Sequence, residues 1–252
     1  MTFEPLENLN GKIVVITGVM GGIGFAIAKR LAAKGAKIIG IVRHDVESAQ
    51  NSLNQLPNAH LNHVIVCADL LHKDQLQNAY NQIEKFGRID VLVNTVGKTY
   101  RYPIVDLDAV SDEFFDKMLQ DNLRTYYSAI RTFLPLLKAT PESVVVNISS
   151  TAGSRSYGSN VAYCAAKAGI DSLTRTLSSA LAPIRVMSVS PGAVETNFVP
   201  NQPENFYNSI TNYTPLRRIA TVEDVAAAVE ACVTLLRFCT GQVIIVDGGK
   251  FI

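Results

Sequence analysis

The sequence predicts a doubly wound α/β domain, with a seven-stranded parallel sheet and helices on both faces. Short apolar runs alternate with helical patterns along the chain in a βαβα rhythm. The runs themselves, such as IVVIT, VLV, VVV and VIIV, are apolar at consecutive positions, as expected of strands covered by helices on both faces. No linker rich in Pro, Gly or Ser, no internal repeat and no low-complexity stretch divides the 252 residues, so a single domain over 1–252 is expected.

Residues 12–17 read as the first strand, 23–34 as a helix, 36–42 as the second strand, and a polar amphipathic stretch to Leu56 as the next helix. The rhythm continues through a strand at 63–67, a helix near 75–86 and a strand at 89–94. Three further strands are expected at 144–148, 185–189 and 242–246. Two long helices are predicted, at about 112–137 and 158–181. The first carries Phe114, Phe115, Met118, Leu119, Tyr126, Tyr127 and Phe133, an apolar surface too wide for one buried stripe. The second is rich in small residues, including Ala162, Ala165, Ala166 and Gly169, which suits either a subunit interface or a buried core helix. A homo-oligomer, dimer or tetramer, is therefore expected. The longest irregular stretch, 191–203, reads as the start of a substrate loop over about 191–215.

Hydrophobic residues make up 48% and charged residues 18%, which suits a well-buried core. With 23 basic and 22 acidic side chains in no long run of one sign, there is no field to gather nucleic acid or anionic lipid. Cys67, Cys164, Cys232 and Cys239 show no CxxC spacing, so no metal site and a reducing compartment are expected. The first residues lack a basic start followed by an apolar stretch, and no apolar run reaches the roughly 20 residues of a spanning helix. The expectation is a cytoplasmic protein that engages neither membrane nor nucleic acid.

Immediately after the first strand comes Thr17-Gly18-Val19-Met20-Gly21-Gly22-Ile23-Gly24, opening straight into a helix. Glycine permits positive φ and close backbone approach, while the free N–H groups and dipole of the helix favour a pyrophosphate. The context is that of a Rossmann-type nucleotide site, with Thr17, Gly18, Gly22, Ile23 and Gly24 as contacts. The GK[ST] ending of a phosphate loop is missing, so a dinucleotide is favoured over a nucleoside triphosphate. Cofactor choice is made near the end of the second strand, where an acid would bind the ribose 2′-hydroxyl and an arginine a 2′-phosphate. Arg43 stands there beside His44, so NADP(H) is preferred, with NAD(H) as the alternative. Asp45 is the competing candidate, unless it caps the following helix.

Tyr163 and Lys167 are four residues apart, hence on one helix face. A nearby cation stabilises a phenolate, so the pair can pass a proton to and from a carbonyl oxygen. Asn147-Ile148-Ser149-Ser150 ends a strand just before this helix, where ligands of open sheets bind.

On these motifs the chain resembles the short-chain dehydrogenase/reductase family over essentially its whole length. TGVMGGIG at 17–24 resembles the family's TGxxxGxG, Asp69-Leu70 its adenine-contacting acidic pair, Ser150 its active-site serine, Tyr163 with Lys167 its YxxxK signature, and Pro191-Gly192 with Thr196 its PG motif beside nicotinamide. The resemblance implies a tetrad of Asn122, Ser150, Tyr163 and Lys167, in which Asn122 holds a proton-relay water and Lys167 also binds the nicotinamide ribose. Where the family has NNAG, this chain has Asn94-Thr95-Val96-Gly97. Asn94 and Gly97 are kept as cofactor contacts, and the β-branched pair between them stiffens or crowds that wall.

The preferred substrate is a small or medium ketone, aldehyde or secondary alcohol. A 3-oxoacyl thioester, on carrier protein or coenzyme A, is the alternative, and neither long helix ends in a basic cluster that would dock an acidic carrier. Tyr100, Arg101, Tyr102, Arg155, Tyr157, Phe198, Phe206 and Tyr207 are candidate substrate contacts. A nucleotide-binding regulator without catalysis is the reading of another class.

Overall fold

The computed structural model describes residues 4–140, 142–155, 157–196, 198–199 and 206–251, without the side chains of 206–208. All seven expected strands are present: β1 (Ile13–Thr17), β2 (Lys37–Val42), β3 (Val64–Cys67), β4 (Val91–Asn94), β5 (Val144–Ile148), β6 (Arg185–Pro191) and β7 (Val243–Val246). They form one sheet in the order β3-β2-β1-β4-β5-β6-β7, and every pair is parallel. Strand order reverses between β1 and β4, which leaves a crevice beyond their carboxyl ends.

The helices are α1 (Gly22–Ala33), α2 (Val46–Leu53), α3 (Lys73–Ile83), α4 (Asp112–Leu119), α5 (Thr125–Lys138), α6 (Val161–Ala180), α7 (Phe206–Tyr213) and α8 (Val222–Thr234). Successive strand residues explain why the apolar runs do not alternate. Val14, Ile16, Val91 and Val93 pack with Ile27 and Leu31 of α1 and Val225 and Val229 of α8. Val15 and Leu92 point the other way, onto Ala79 and Ile83 of α3 and Phe133 and Leu137 of α5. Each such fully buried side chain contributes about 1.5–3 kcal/mol relative to exposure.

Four elements depart from the expected pattern. The helix expected over 112–137 is interrupted by a π-turn at Gln120–Arg124. Two side chains there bond carbonyls one turn back: Asn122 Nδ2 donates to Met118 O at 3.0 Å and Thr125 Oγ1 to Asp121 O at 3.0 Å. Helix α6 begins at Val161 rather than 158, because Asn160 is its N-cap and accepts from the Tyr163 N–H at 2.8 Å. Helix α7 lies within the stretch expected to be a substrate loop, and helix α8 is also additional to the expected set. It starts on a capping box in which Thr221 Oγ1 accepts from the Asp224 N–H and Asp224 accepts from the Thr221 N–H.

The sheet register places Thr17, Asn94, Asn147 and Ser188 side by side on β1, β4, β5 and β6. Thr17 Oγ1 donates to Asn94 Oδ1 (3.4 Å), Asn94 Nδ2 to Asn147 Oδ1 (3.0 Å), and Asn147 Nδ2 to Thr174 Oγ1 on α6 (3.0 Å). Ser188 Oγ donates to Asp171 of the same helix at 3.1 Å. All of these side chains are buried. Truncating Asn147 to Ala strands the Asn94 amide without its acceptor, at a cost of about 1–3 kcal/mol. The urea unfolding midpoint of Asn147→Ala is expected to fall accordingly, and an unchanged midpoint would show that the row carries no load.

Candidate active site

A cleft of about 1180 Å³ opens at the carboxyl ends of the strands, lined by the segments that leave β1, β2, β3, β4, β5 and β6. It exceeds the roughly 300–1,000 Å³ of a drug-sized pocket, leaving room for a dinucleotide and a second molecule. Of the residues expected to bind nucleotide, Gly18, Gly22, Ile23, Gly24, Arg43, Asp69, Leu70, Gly97, Pro191, Gly192 and Thr196 line it.

The glycine turn fits a pyrophosphate in detail. Gly18 has φ +69°, and a Cβ on Gly24 would fall 2.4 Å from Gly18 O. The α1 N-cap, Gly21, makes no side-chain cap bond, so the first N–H groups of that helix are left for an anion. Thr17 and Asn94 are placed differently from expectation. Both lie fully buried in the polar row beneath the cleft and outside its lining. Thr95 does more than stiffen the wall: its Oγ1 donates to Thr17 O at 2.6 Å and reaches Gly18 O at 3.2 Å, bracing the turn.

At the end of β2, Arg43 and His44 both line the cleft. Asp45 stands at the N-cap of α2, but its side chain makes no cap bond. It adopts φ +55° and pairs instead with His44 Nδ1 at 2.7 Å. On the next strand end, Asp69 Oδ1 accepts from the Leu71 N–H at 2.9 Å, fixing its carboxylate at the cleft edge.

Tyr163 and Lys167 both face the cleft from α6 and are buried, 8% and 3% exposed. The ammonium donates to Ile148 O at 2.8 Å and lies over the Tyr163 ring, 5.6 Å from its centre. Burial is the largest influence on the phenol. It drives the Tyr163 pKa well above the ordinary tyrosine range, opposed by a hydrogen bond with Ser150 and reinforced by Cys164. Lys167, itself brought down by burial, is largely neutral where such a phenol titrates and so does not lower it there. Burial also brings Lys167 down to about 7, with Asp171 one turn along opposing it. Burial raises Asp171 in turn, against hydrogen bonds from Ser149 and Ser188.

Ser150 caps the short turn Thr151–Gly153, accepting from the Ala152 N–H at 3.2 Å. Ser149 points the other way, its Oγ donating to Lys167 O at 3.2 Å. That leaves Ser150 as the hydroxyl beside the phenol. Gly153 lets this turn press on α6, since a Cβ there would fall 2.6 Å from the Lys167 carbonyl carbon. The Asn122 side chain does not turn toward Lys167. It clamps the segment after β4, accepting from Lys98 N at 3.0 Å and donating to Lys98 O at 2.9 Å. Gly97 allows the approach, as a Cβ there would meet Asn122 Oδ1 at 3.0 Å.

Among the expected substrate contacts, Arg101, Tyr157 and Phe198 line the cleft, with the Phe198 ring 6.1 Å from that of Tyr163. Tyr100 and Tyr102 instead stack edge-on against Phe114, and Arg155 does not line the cleft. The side chains of Phe206 and Tyr207 lie outside the described residues. Among the lining residues that carried no expectation are Lys98, Lys250 and Phe251. The last two are delivered by Asp247, which accepts from the N–H groups of Gly249 (2.9 Å) and Phe251 (3.2 Å). No local motif announces them; the Asp-Gly-Gly turn after β7 is the only hint. Among the described residues no His, Cys, Asp or Glu cluster could hold a metal ion, and no helix is long and apolar enough to cross a membrane.

A family model described as enoyl-(acyl carrier protein) reductase matches residues 18–250. The chain is 35% identical over 243 residues to the protein named ketoacyl reductase 2 of the granaticin polyketide synthase of Streptomyces violaceoruber, covering 94% of this chain and 95% of that one. It is 31% identical over 250 residues to a 3-oxoacyl-[acyl-carrier-protein] reductase of Thermotoga maritima, covering 97% and 99%. Among solved structures, a 3-ketoacyl-(acyl-carrier-protein) reductase from Brucella melitensis complexed with NADH superposes with a TM-score of 0.87 at 29% identity, covering 97% and 100%.

The contact between Gly24 and the Gly18 carbonyl makes a direct test. Gly24→Ala is expected to weaken dinucleotide binding by on the order of tenfold or more, equivalent to about 1.4 kcal/mol. Fluorescence titration of the reduced cofactor reads this, and wild-type affinity in the variant would rule out pyrophosphate at this turn.

Proposed function

The chain belongs to the short-chain dehydrogenase/reductase family, and we propose that it transfers hydride between NADP(H) and a small or medium ketone, aldehyde or secondary alcohol as a single oxidoreductase domain. One arrangement carries this: the buried Tyr163 phenol between the Ser150 hydroxyl and the Lys167 ammonium, opening on a cleft whose far end is the glycine turn.

Bound nicotinamide supplies the hydride in reduction and accepts it in oxidation. The residues of this chain manage the oxygen. Ser150 Oγ and the Tyr163 hydroxyl donate to the substrate carbonyl, which polarises it. As negative charge grows on that oxygen, Tyr163 releases its proton to it, and Lys167 stabilises the phenolate left behind. Burial keeps the phenol protonated until that moment, which suits a general acid for reduction. In oxidation the phenolate takes the alcohol proton. With its side chain spent on Lys98 and Met118, Asn122 serves a proton-relay water only through its main-chain carbonyl.

Preference for NADP(H) is supported by Arg43 and His44 at the cleft and by the engagement of Asp45 with His44, which draws that acid away from a ribose 2′-hydroxyl. The partly exposed Phe115, Leu119 and Tyr127 on α4 and α5 support a homo-oligomer. A 3-oxoacyl thioester is the second substrate reading, favoured by relatives named ketoacyl and 3-oxoacyl-[acyl-carrier-protein] reductases. A panel of free ketones and acetoacetyl thioesters decides between the two.

Tyr163→Phe is expected to lower kcat/KM for carbonyl reduction at least about a hundredfold, the usual worth of a positioned acid, while NADPH binding stays near wild type. Retained turnover would remove Tyr163 from the chemistry, and NADPH binding without turnover of any carbonyl by the wild type would favour a regulator. Arg43→Asp is expected to reverse the ratio of kcat/KM with NADPH to that with NADH. An unchanged ratio would assign cofactor choice to other residues.

A further inference from the structure

We propose that Tyr126, which belongs to no recognised motif, is a positioning residue for the proton chemistry: its ring face stabilises the charge of Lys167. The inference rests on the reading of Tyr163 and Lys167 given above. Tyr126 lies four residues after Asn122 on α5, just past the π-turn, and is 1% exposed. Its hydroxyl donates to Ile148 O at 2.8 Å, and Lys167 Nζ donates to the same oxygen at 2.8 Å. The ammonium lies 5.3 Å from the centre of the Tyr126 ring.

A buried ammonium has three N–H donors and loses most of its hydration, so what replaces the water decides whether it stays charged. Lys167 has one hydrogen-bond acceptor among the described residues, Ile148 O. Two aromatic faces supply the remaining stabilisation, that of Tyr163 and, nearer, that of Tyr126. Tyr163 cannot be a constant partner, because in the proposed reaction it is the group that changes charge. Tyr126 can: its own hydroxyl is bonded and burial holds it protonated.

The charged and titratable groups around Lys167 are few. On α6 they are Tyr163, Cys164 and Asp171, with Arg175 acting on Asp171. Helix α5 contributes Tyr126, and the π-turn contributes Asp121, which is ion-paired with Lys117. The end of β5 and the Thr151–Gly153 turn bring none. Removing the Tyr126 ring withdraws stabilisation from the charged lysine alone, so its proton leaves at lower pH. Activity in the reducing direction needs the ammonium and is lost as pH rises through the Lys167 pKa, near 7.

The experiment is the pH profile of kcat/KM for carbonyl reduction with NADPH in wild type, Tyr126→Phe and Tyr126→Leu, beside Tyr163→Phe. Tyr126→Phe keeps the ring and is expected to keep the alkaline limb in place. Tyr126→Leu is expected to move that limb down by about half a pH unit or more, the worth of a partly desolvated cation–π contact. A limb in Tyr126→Leu that coincides with wild type overturns the proposal. Should Tyr126→Leu fail to fold, phenylalanine with one, two and three ring fluorines at position 126 weakens the ring face at nearly constant volume. A limb that falls stepwise with fluorination supports the assignment, and one that stays fixed refutes it. Substantial turnover by Tyr163→Phe would refute the underlying reading instead, so the two failures are distinguishable.

Discussion

The buried hydrogen-bonded row from Thr17 through Asn94 and Asn147 to Thr174 ties the ends of three strands to the helix that carries Tyr163 and Lys167. Each donor in the row lies where water cannot replace a lost partner, so a shift of one strand or of α6 leaves buried groups unpaired. The row therefore fixes α6 in height and rotation against the sheet. Asp171, held by Ser188, repeats the attachment on β6. From this anchored helix the phenol and the ammonium project into the cleft one turn apart.

Desolvation sets the chemistry of what projects. It keeps the phenol protonated, weakens the hold of Lys167 on its proton, and makes every nearby dipole and ring face count for more than it would in water. The cofactor half of the cleft obeys a different constraint, close backbone approach. Gly18, Gly24 and Gly97 each stand where a side chain would collide with a carbonyl, a hydroxyl or an amide. One half is tuned by the removal of water and the other by the removal of β-carbons.

The strands were legible because parallel, doubly covered strands must be apolar at consecutive positions, and the glycine turn because its neighbours in the chain are its neighbours in space. The α6 pair was legible from helical spacing alone. Helix α8 was equally readable in principle, from Thr221 and Asp224 followed by apolar residues at helical spacing. What stayed hidden depends on contacts between distant segments. Asn122 reads as a polar helix residue until the loop after β4 folds onto it, and Thr17 and Asn94 read as cofactor contacts until the register buries them. Lys250 and Phe251 reach the cleft only because β7 ends beside β6. The upward shift of Tyr163 is not legible from spacing, which reports that a lysine is near but not how deeply the pair is buried.

The segment after β6 is fastened at its root. Gly192 N–H donates to Val246 O at 2.9 Å, and residues 193–195 pair with Ala220 through two further backbone bonds of 3.2 Å. These bonds use only main-chain atoms, so they tolerate almost any side chain in the segment they close off. Just beyond the root, Thr196, Phe198 and Val199 turn their side chains to the cleft, while the root is held by main-chain atoms alone. The shape of this wall of the cleft is therefore set by side chains that the fastening itself does not require.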